Sequence, residues 1–356
     1  MIRFTWHRFR AQALVALGAL AVLAVVLAIT GIQLAHAYDD AVAACRLRGD
    51  CASERGNAFD FPPSGSELGL ANTFNALVVA VPGLIGMFWG APLIAREFET
   101  GSFRLAWTQG VTRTRWLAVK IGVAGVASMI AAGLLSLMVT WWSSPIAAAH
   151  GGRLLYFHNS GVAPVGYAAF AFALGAAAGL LIRRTLPAMA VTLAIFAAVT
   201  FAFPVWVRPH LLSSAQATVT LSPASINGFT TSPDGRTMSV QTTPPHIPGA
   251  WILSTQLTTP DGRPASALPD TAACGPNAPG NSCADYIEGL HLRQAVTYQP
   301  ASRYWPLQWL ETGIYFAVAL ALAGFCLWRI RPGRSAEPDI HRPRSSWPAP
   351  ALERSP

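Results

Sequence analysis

The chain has 356 residues, 52% of them hydrophobic and 12% charged, with a formal net charge of +8. So little charge cannot cover a soluble globule of this length, which excludes an ordinary soluble enzyme or binding domain. The positive balance alone would suggest nucleic acid, but its distribution along the chain follows a membrane instead.

Six apolar stretches, at about 11–33, 74–95, 116–142, 162–182, 186–207 and 307–328, each reach the roughly 20 residues a membrane-spanning helix needs. A spanning helix bonds all of its backbone polar groups internally, so hydropathy reads such segments directly. The expected fold is an all-α membrane protein with six transmembrane helices and both termini inside.

The N-terminal segment and span one occupy 1–33. Ala35-His36-Ala37, after an apolar run preceded by Arg3, Arg8 and Arg10, resembles a signal-peptidase site. The apolar core from Ala11 to Ile32 exceeds the about 7 to 15 residues of a signal peptide, so the span is expected to be retained. A first external loop, 34–73, carries Cys45 and Cys51. Span two, 74–95, contains Gly86 and Gly90, and span four contains Gly175 and Gly179. Both pairs are small-xxx-small surfaces that let helices approach closely, within one subunit or, alternatively, across a dimer.

Residues 96–115 form a cytoplasmic segment, spans three to five fill 116–207, and an external region runs from 208 to 306. That region is rich in Thr, Ser, Pro and Gly and repeats a turn, Pro233-Asp234-Gly235-Arg236 and Pro260-Asp261-Gly262-Arg263, beside the β-prone runs Thr237–Val240 and Trp251–Leu257. It reads either as a small β-rich subdomain or as a loop with two ordinary turns. Span six, 307–328, is followed by a basic tail, 329–356, placed against anionic lipid.

Orientation follows from the basic residues, since 16 of the 25 fall in the segments that an N-in topology makes cytoplasmic. Cysteines agree with it: Cys45 with Cys51, and Cys274 with Cys283, are local pairs on the oxidising face, while Cys326 sits inside a span. Disulfides suit these spacings better than a metal, for which no histidines stand at ligand spacing.

Catalytic equipment is missing. No G-x-x-x-x-G-K-[ST] phosphate loop occurs, Lys120 is the only lysine, and H-E-x-x-H is absent. The chain is therefore read as neither an ATPase nor an enzyme, and no metal site is assigned. Lys120 and Glu311 alone approach the hydrocarbon, each near a span end, where they read as snorkelling interfacial anchors.

The segment after span two is the richest in signal: Arg96-Glu97-Phe98-Glu99-Thr100-Gly101-Ser102-Phe103-Arg104-Leu105-Ala106-Trp107-Thr108-Gln109-Gly110-Val111-Thr112-Arg113-Thr114-Arg115-Trp116. Two carboxylates at the membrane edge precede a glycine, and Phe103, Ala106 and Trp107 recur at i, i+3 and i+4, the pattern of a short amphipathic helix lying along the membrane. Such a helix either faces a cytosolic partner or simply rests on lipid.

With this run the chain resembles the permease subunits of ATP-binding-cassette transporters of the ABC-2 type. The six-span, N-in layout agrees. The run Tyr304-Trp305-Pro306-Leu307-Gln308-Trp309-Leu310-Glu311-Thr312-Gly313, opening the last span, is similar to actinobacterial members. The resemblance implies that Glu97, Glu99 and Gly101 belong to the motif that couples to the ATPase, with Arg96, Arg104, Thr108, Gln109, Arg113 and Arg115 around it. It implies a permease in the bacterial plasma membrane that exports a substrate and pairs with itself or a similar subunit. It also implies cytosolic ATPase subunits that hold the ATP and magnesium, so that this chain binds no cofactor and no nucleic acid. Two features depart from the family: the N-terminal amphipathic helix is reduced to Met1–Arg10, and the external region before span six is much longer. The alternative reading is a membrane-anchored sensor or interaction protein that binds a ligand through its external loop.

Overall fold

The computed structural model describes residues 2–48, 65–101, 112–149, 154, 160–222, 225–231, 237–245, 247–265, 268–269 and 282–331. Cys51, Cys274, the amphipathic stretch 102–111 with Arg104, Thr108 and Gln109, the turn 233–236 and the tail from Pro332 lie outside the described residues, as does the side chain of Cys45. Among the described residues, six helices are long and apolar enough to cross a membrane. They are Leu17–Asp40, Ala76–Thr100, Arg113–Trp142, Ala163–Ile182, Thr185–His210 and Ala301–Arg329, hereafter spans one to six.

The first helix runs on to Arg48, and the helix containing span two begins at Gly65. The segment expected as loop 34–73 is thus helical at both ends. Ala35, Ala37, Ala41, Ala43 and Ala44 continue the first helix because alanine is the strongest helix former.

Span four is the hub. In its apolar window 83% of residues are buried, against 17% in span one, because spans two, three, five and six surround it. Only small residues allow that. Gly86 and Gly90 of span two lie at backbone distance from Ala171, Phe172 and Gly175 of span four, and Gly179 meets Ala91 and Ala95 one turn further on. A Cβ on Gly175 would lie 2.3 Å from the Gly86 carbonyl oxygen, and one on Gly179 would lie 2.4 Å from that of Ala91. The glycines of both pairs therefore serve the close packing of spans two and four within one subunit. At the same level span two widens into a π turn, Gly86–Gly90, where the Ala91 N–H bonds the Gly86 carbonyl. Pro92 comes next and has no N–H for the carbonyl four residues back, so a widened ladder fits there.

Span one joins the bundle through an apolar cluster of Leu27 and Leu34 with Val78, Leu135, Val139, Trp142 and Ile146. A hydrogen bond from Trp142 Nε1 to Thr30 Oγ1 at 3.0 Å accompanies it.

The region between spans five and six contains two three-stranded antiparallel sheets. With β1 Ala215–Thr220, β2 Ile226–Thr231, β3 Thr237–Thr242, β4 Trp251–Thr258, β5 Leu268–Pro269 and β6 Arg293–Gln299, their orders are β1-β6-β4 and β2-β3-β5. A helix, Ser282–Gly289, precedes β6. Met238, Ala265, Ile287 and Leu292 form a small common core. Gln294 of β6 ties the sheets by donating to Thr242 Oγ1 at 2.7 Å and to the Thr243 carbonyl at 3.1 Å. Gly262 adopts φ +80° in the turn after β4, closed by the Gly262 N–H to the Thr259 carbonyl at 2.9 Å. Cys283 is disulfide-bonded, and Cys326 is a free, buried thiol.

Candidate functional site

Charged and polar side chains concentrate at the two ends of the bundle. At the arginine-rich end, span two closes on Gly101, whose φ of +67° is the left-handed cap that glycine adopts without strain. Thr100 Oγ1 returns to the Arg96 carbonyl at 2.9 Å. The three residues before Thr100 reach three different elements. Glu97 forms an ion pair with Lys120 of span three, whose ammonium also lies 4.4 Å from the centre of the Trp116 ring. Phe98 lies beneath the guanidinium of Arg183, 5.2 Å away, in the turn between spans four and five. Glu99 accepts the Thr185 N–H at 2.8 Å and the Thr185 hydroxyl at 2.6 Å. A carboxylate in that place satisfies a backbone donor left open by the first turn of span five and complements the helix dipole.

The carboxylates that the resemblance places in the ATPase-coupling motif are thus engaged inside the subunit. Lys120 is not a snorkelling anchor, because it is 9% exposed and turned toward Glu97. Arg113 and Arg115 are exposed at the start of span three, where the Thr112 side chain caps the helix by accepting the Arg115 N–H at 3.4 Å.

At the opposite end the sequence reading of Glu311 fails outright. Glu311 is 1% exposed and Arg208, at the end of span five, 3%. The pair is bidentate: Arg208 Nε donates to Oε2 at 2.8 Å, and Nη2 donates to Oε1 at 2.7 Å. Tyr167 of span four donates its hydroxyl to Oε1 at 2.5 Å. A carboxylate so enclosed cannot extend to the interface, and three donors replace the water it gave up. The backbone aims Arg208 there. Span five ends in a π turn, Phe203–Val207, in which the Arg208 N–H bonds the Phe203 carbonyl. The extra residue of a π turn rotates the side chains beyond it relative to an uninterrupted α-helix.

Beside this triad, Gln308 of span six accepts the N–H groups of Val162 and Ala163 at 3.1 and 2.8 Å and donates to the Ser160 carbonyl at 3.0 Å. Ser160 and Tyr304 share a hydrogen bond of 2.9 Å, and Ser136 of span three donates to the Gly161 carbonyl at 2.8 Å. Gly161 has φ +78°, and a Cβ there would lie 2.8 Å from the Tyr304 hydroxyl. Spans three to six are therefore joined by buried polar bonds at the subdomain end.

Among the described residues no group of three or more His, Cys, Asp or Glu side chains could hold a metal ion. A family model described as ABC-2 membrane transporter related matches residues 17–208, more than half of the chain. The chain belongs to this family. As an ABC-2 related protein it is a multi-pass membrane permease of an ABC transporter, a transport subunit whose partner is an ABC ATPase. No curated protein and no solved structure matches it. The family match covers spans one to five and the segment after span two, and it stops at Arg208, where the β-rich region begins.

Sequence reasoning missed Arg208, Tyr167 and Gln308. Their available signal was an arginine and a glutamate at two span ends on the same side of the membrane, together with a tyrosine in an otherwise Ala- and Gly-rich span.

Proposed function

We propose that this chain is the membrane-spanning subunit of an ATP-driven exporter in a bacterial plasma membrane, with both termini in the cytoplasm, working as a pair with itself or a similar permease. Cytosolic ATPase subunits, which hold the ATP and magnesium, dock on the segment from Arg96 to Arg115; the chain itself binds no cofactor and no nucleic acid. The observation that carries this reading is the family match running through that segment and five spans.

In this reading the segment's residues have two kinds of task. Arg104, Thr108 and Gln109, with Arg113 and Arg115, meet the ATPase. Glu97 and Glu99 hold the root of the segment to spans three and five, so that Gly101 is the point where motion enters the bundle. ATP binding then favours the outward-open state to the extent that the docked ATPases contact this segment differently in the two states.

Affinity purification of the tagged chain from its native membranes tests the reading. A protein with a phosphate loop should co-purify, and Arg104→Ala with Thr108→Ala and Gln109→Ala should deplete it without lowering the amount of chain in the membrane. Absence of any such protein, or its undiminished recovery with the triple variant, contradicts the assignment.

A further inference from the structure

We propose that Arg208, Glu311 and Tyr167 are positioning residues that seat the external subdomain rigidly on spans four to six, so that it moves with those spans and does not hinge at the membrane surface. A hinged insertion needs free roots, and here both roots are fixed. Arg208 closes span five ahead of β1 and Glu311 lies about two turns inside the helix Tyr304–Arg329 of span six, so their bidentate pair ties together the two spans that carry the insertion, across 103 residues of chain. Tyr167 adds span four to that tie.

A second tie lies one layer further out. Gln299, the last residue of β6 and wholly buried, donates to the Leu212 carbonyl on the leading root at 3.0 Å and accepts from Arg303 on the trailing root at 2.9 Å. Trp251 of β4, with Leu211 and Leu212 of the leading root, packs against the cluster of Leu154, Tyr304 and Leu307, adding apolar contact to the polar one. Hinges are drawn from segments with few buried contacts and exposed hydrogen bonds, and at these roots Arg208, Gln299 and Tyr304 are instead buried. A buried guanidinium that loses its carboxylate has no water to turn to, so the pair resists opening in each cycle.

Distance distributions between paired spin labels on the full chain in lipid nanodiscs test this without any ATPase, and so independently of the function proposed above. Non-cysteine labels suit the protein, because Cys283 is disulfide-bonded and Cys326 is buried. One pair joins position 230, exposed in β2, to position 181, exposed at the far end of span four; a control pair joins 230 to 256 within the subdomain. The wild-type protein should give a single narrow peak for 230–181. Glu311→Gln should lose that peak to a broad spread while 230–256 stays narrow. If Glu311→Gln does not reach the membrane, Tyr167→Phe decides, since it keeps both charges and removes one donor; it should widen the same peak. A broad or double 230–181 peak in the wild type, an unchanged peak in the deciding variant, or broadening of 230–256 along with it overturns the proposal.

Discussion

The two ends of the bundle are tied by similar chemistry in different surroundings. At the arginine-rich end, Glu97 and Lys120 keep 18% and 11% of their side-chain surface, and Glu99 meets Thr185 on an exposed rim. At the subdomain end, Glu311 and Arg208 keep 1% and 4%, and every oxygen of the carboxylate has a donor. A partly exposed pair that keeps some access to water is cheaper to open than a dry one. Buried ones are costly to break by halves, because the surviving charge is left in a dry interior. One end is thus suited to rearrange when a partner moves, and the other to stay closed.

The comparison is broken most severely at Glu311. Glu311→Ala leaves Arg208 buried without its carboxylate and should destabilise the protein by about 3–5 kcal/mol, measured as the shift in thermal unfolding of the detergent-solubilised chain. Glu97→Ala should shift the same transition less, because this pair keeps more of its surface than Arg208 and Glu311 do and the Lys120 ammonium retains its contact with the Trp116 ring. Equal shifts would erase the distinction between the ends.

A somewhat smaller effect is expected midway between them. Gly175→Val places a side chain where a Cβ already falls 2.3 Å from the Gly86 carbonyl oxygen, so spans two and four must separate. Overpacking of this kind costs about 1–3 kcal/mol. Gly122→Val in span three, where a Cβ meets nothing within 4 Å, should leave unfolding nearly unchanged and serves as its control. The smallest effect belongs to span one. Trp142→Phe removes its hydrogen bond to Thr30 but keeps the apolar contact, and should lower stability by about 1 kcal/mol.

How much of the fold and of the site was legible in the sequence depends on the range of each interaction. The six spans announce themselves because each is a continuous apolar run whose backbone is satisfied locally. The turn at Pro260–Arg263 and the strand after Trp251 are similarly local. The glycine pairs mark surfaces of close approach, but nothing in either run says that they pack span two against span four. Glu97 and Glu99 stand out as carboxylates at a membrane edge, yet their partners Lys120 and Thr185 lie 23 and 86 residues away from Glu97 and Glu99 respectively. Arg208 and Glu311 are the extreme case. Each sits at the end of an apolar run, where a charge usually anchors a helix in the interface, and only the fold brings them together.

The central claim is that Glu97 and Glu99 pass motion from the ATPase into spans three and five rather than serve as its docking points. ATP hydrolysis by the co-purified complex in lipid nanodiscs, compared between the wild type and the Glu97→Gln, Glu99→Gln double variant, tests it most directly. The expected result is that the variant retains its ATPase in undiminished amount while the hydrolysis stimulated by the permease falls toward the rate of the free ATPase. Hydrolysis at the wild-type rate with both carboxylates neutralised, or loss of the ATPase from the complex, would contradict it.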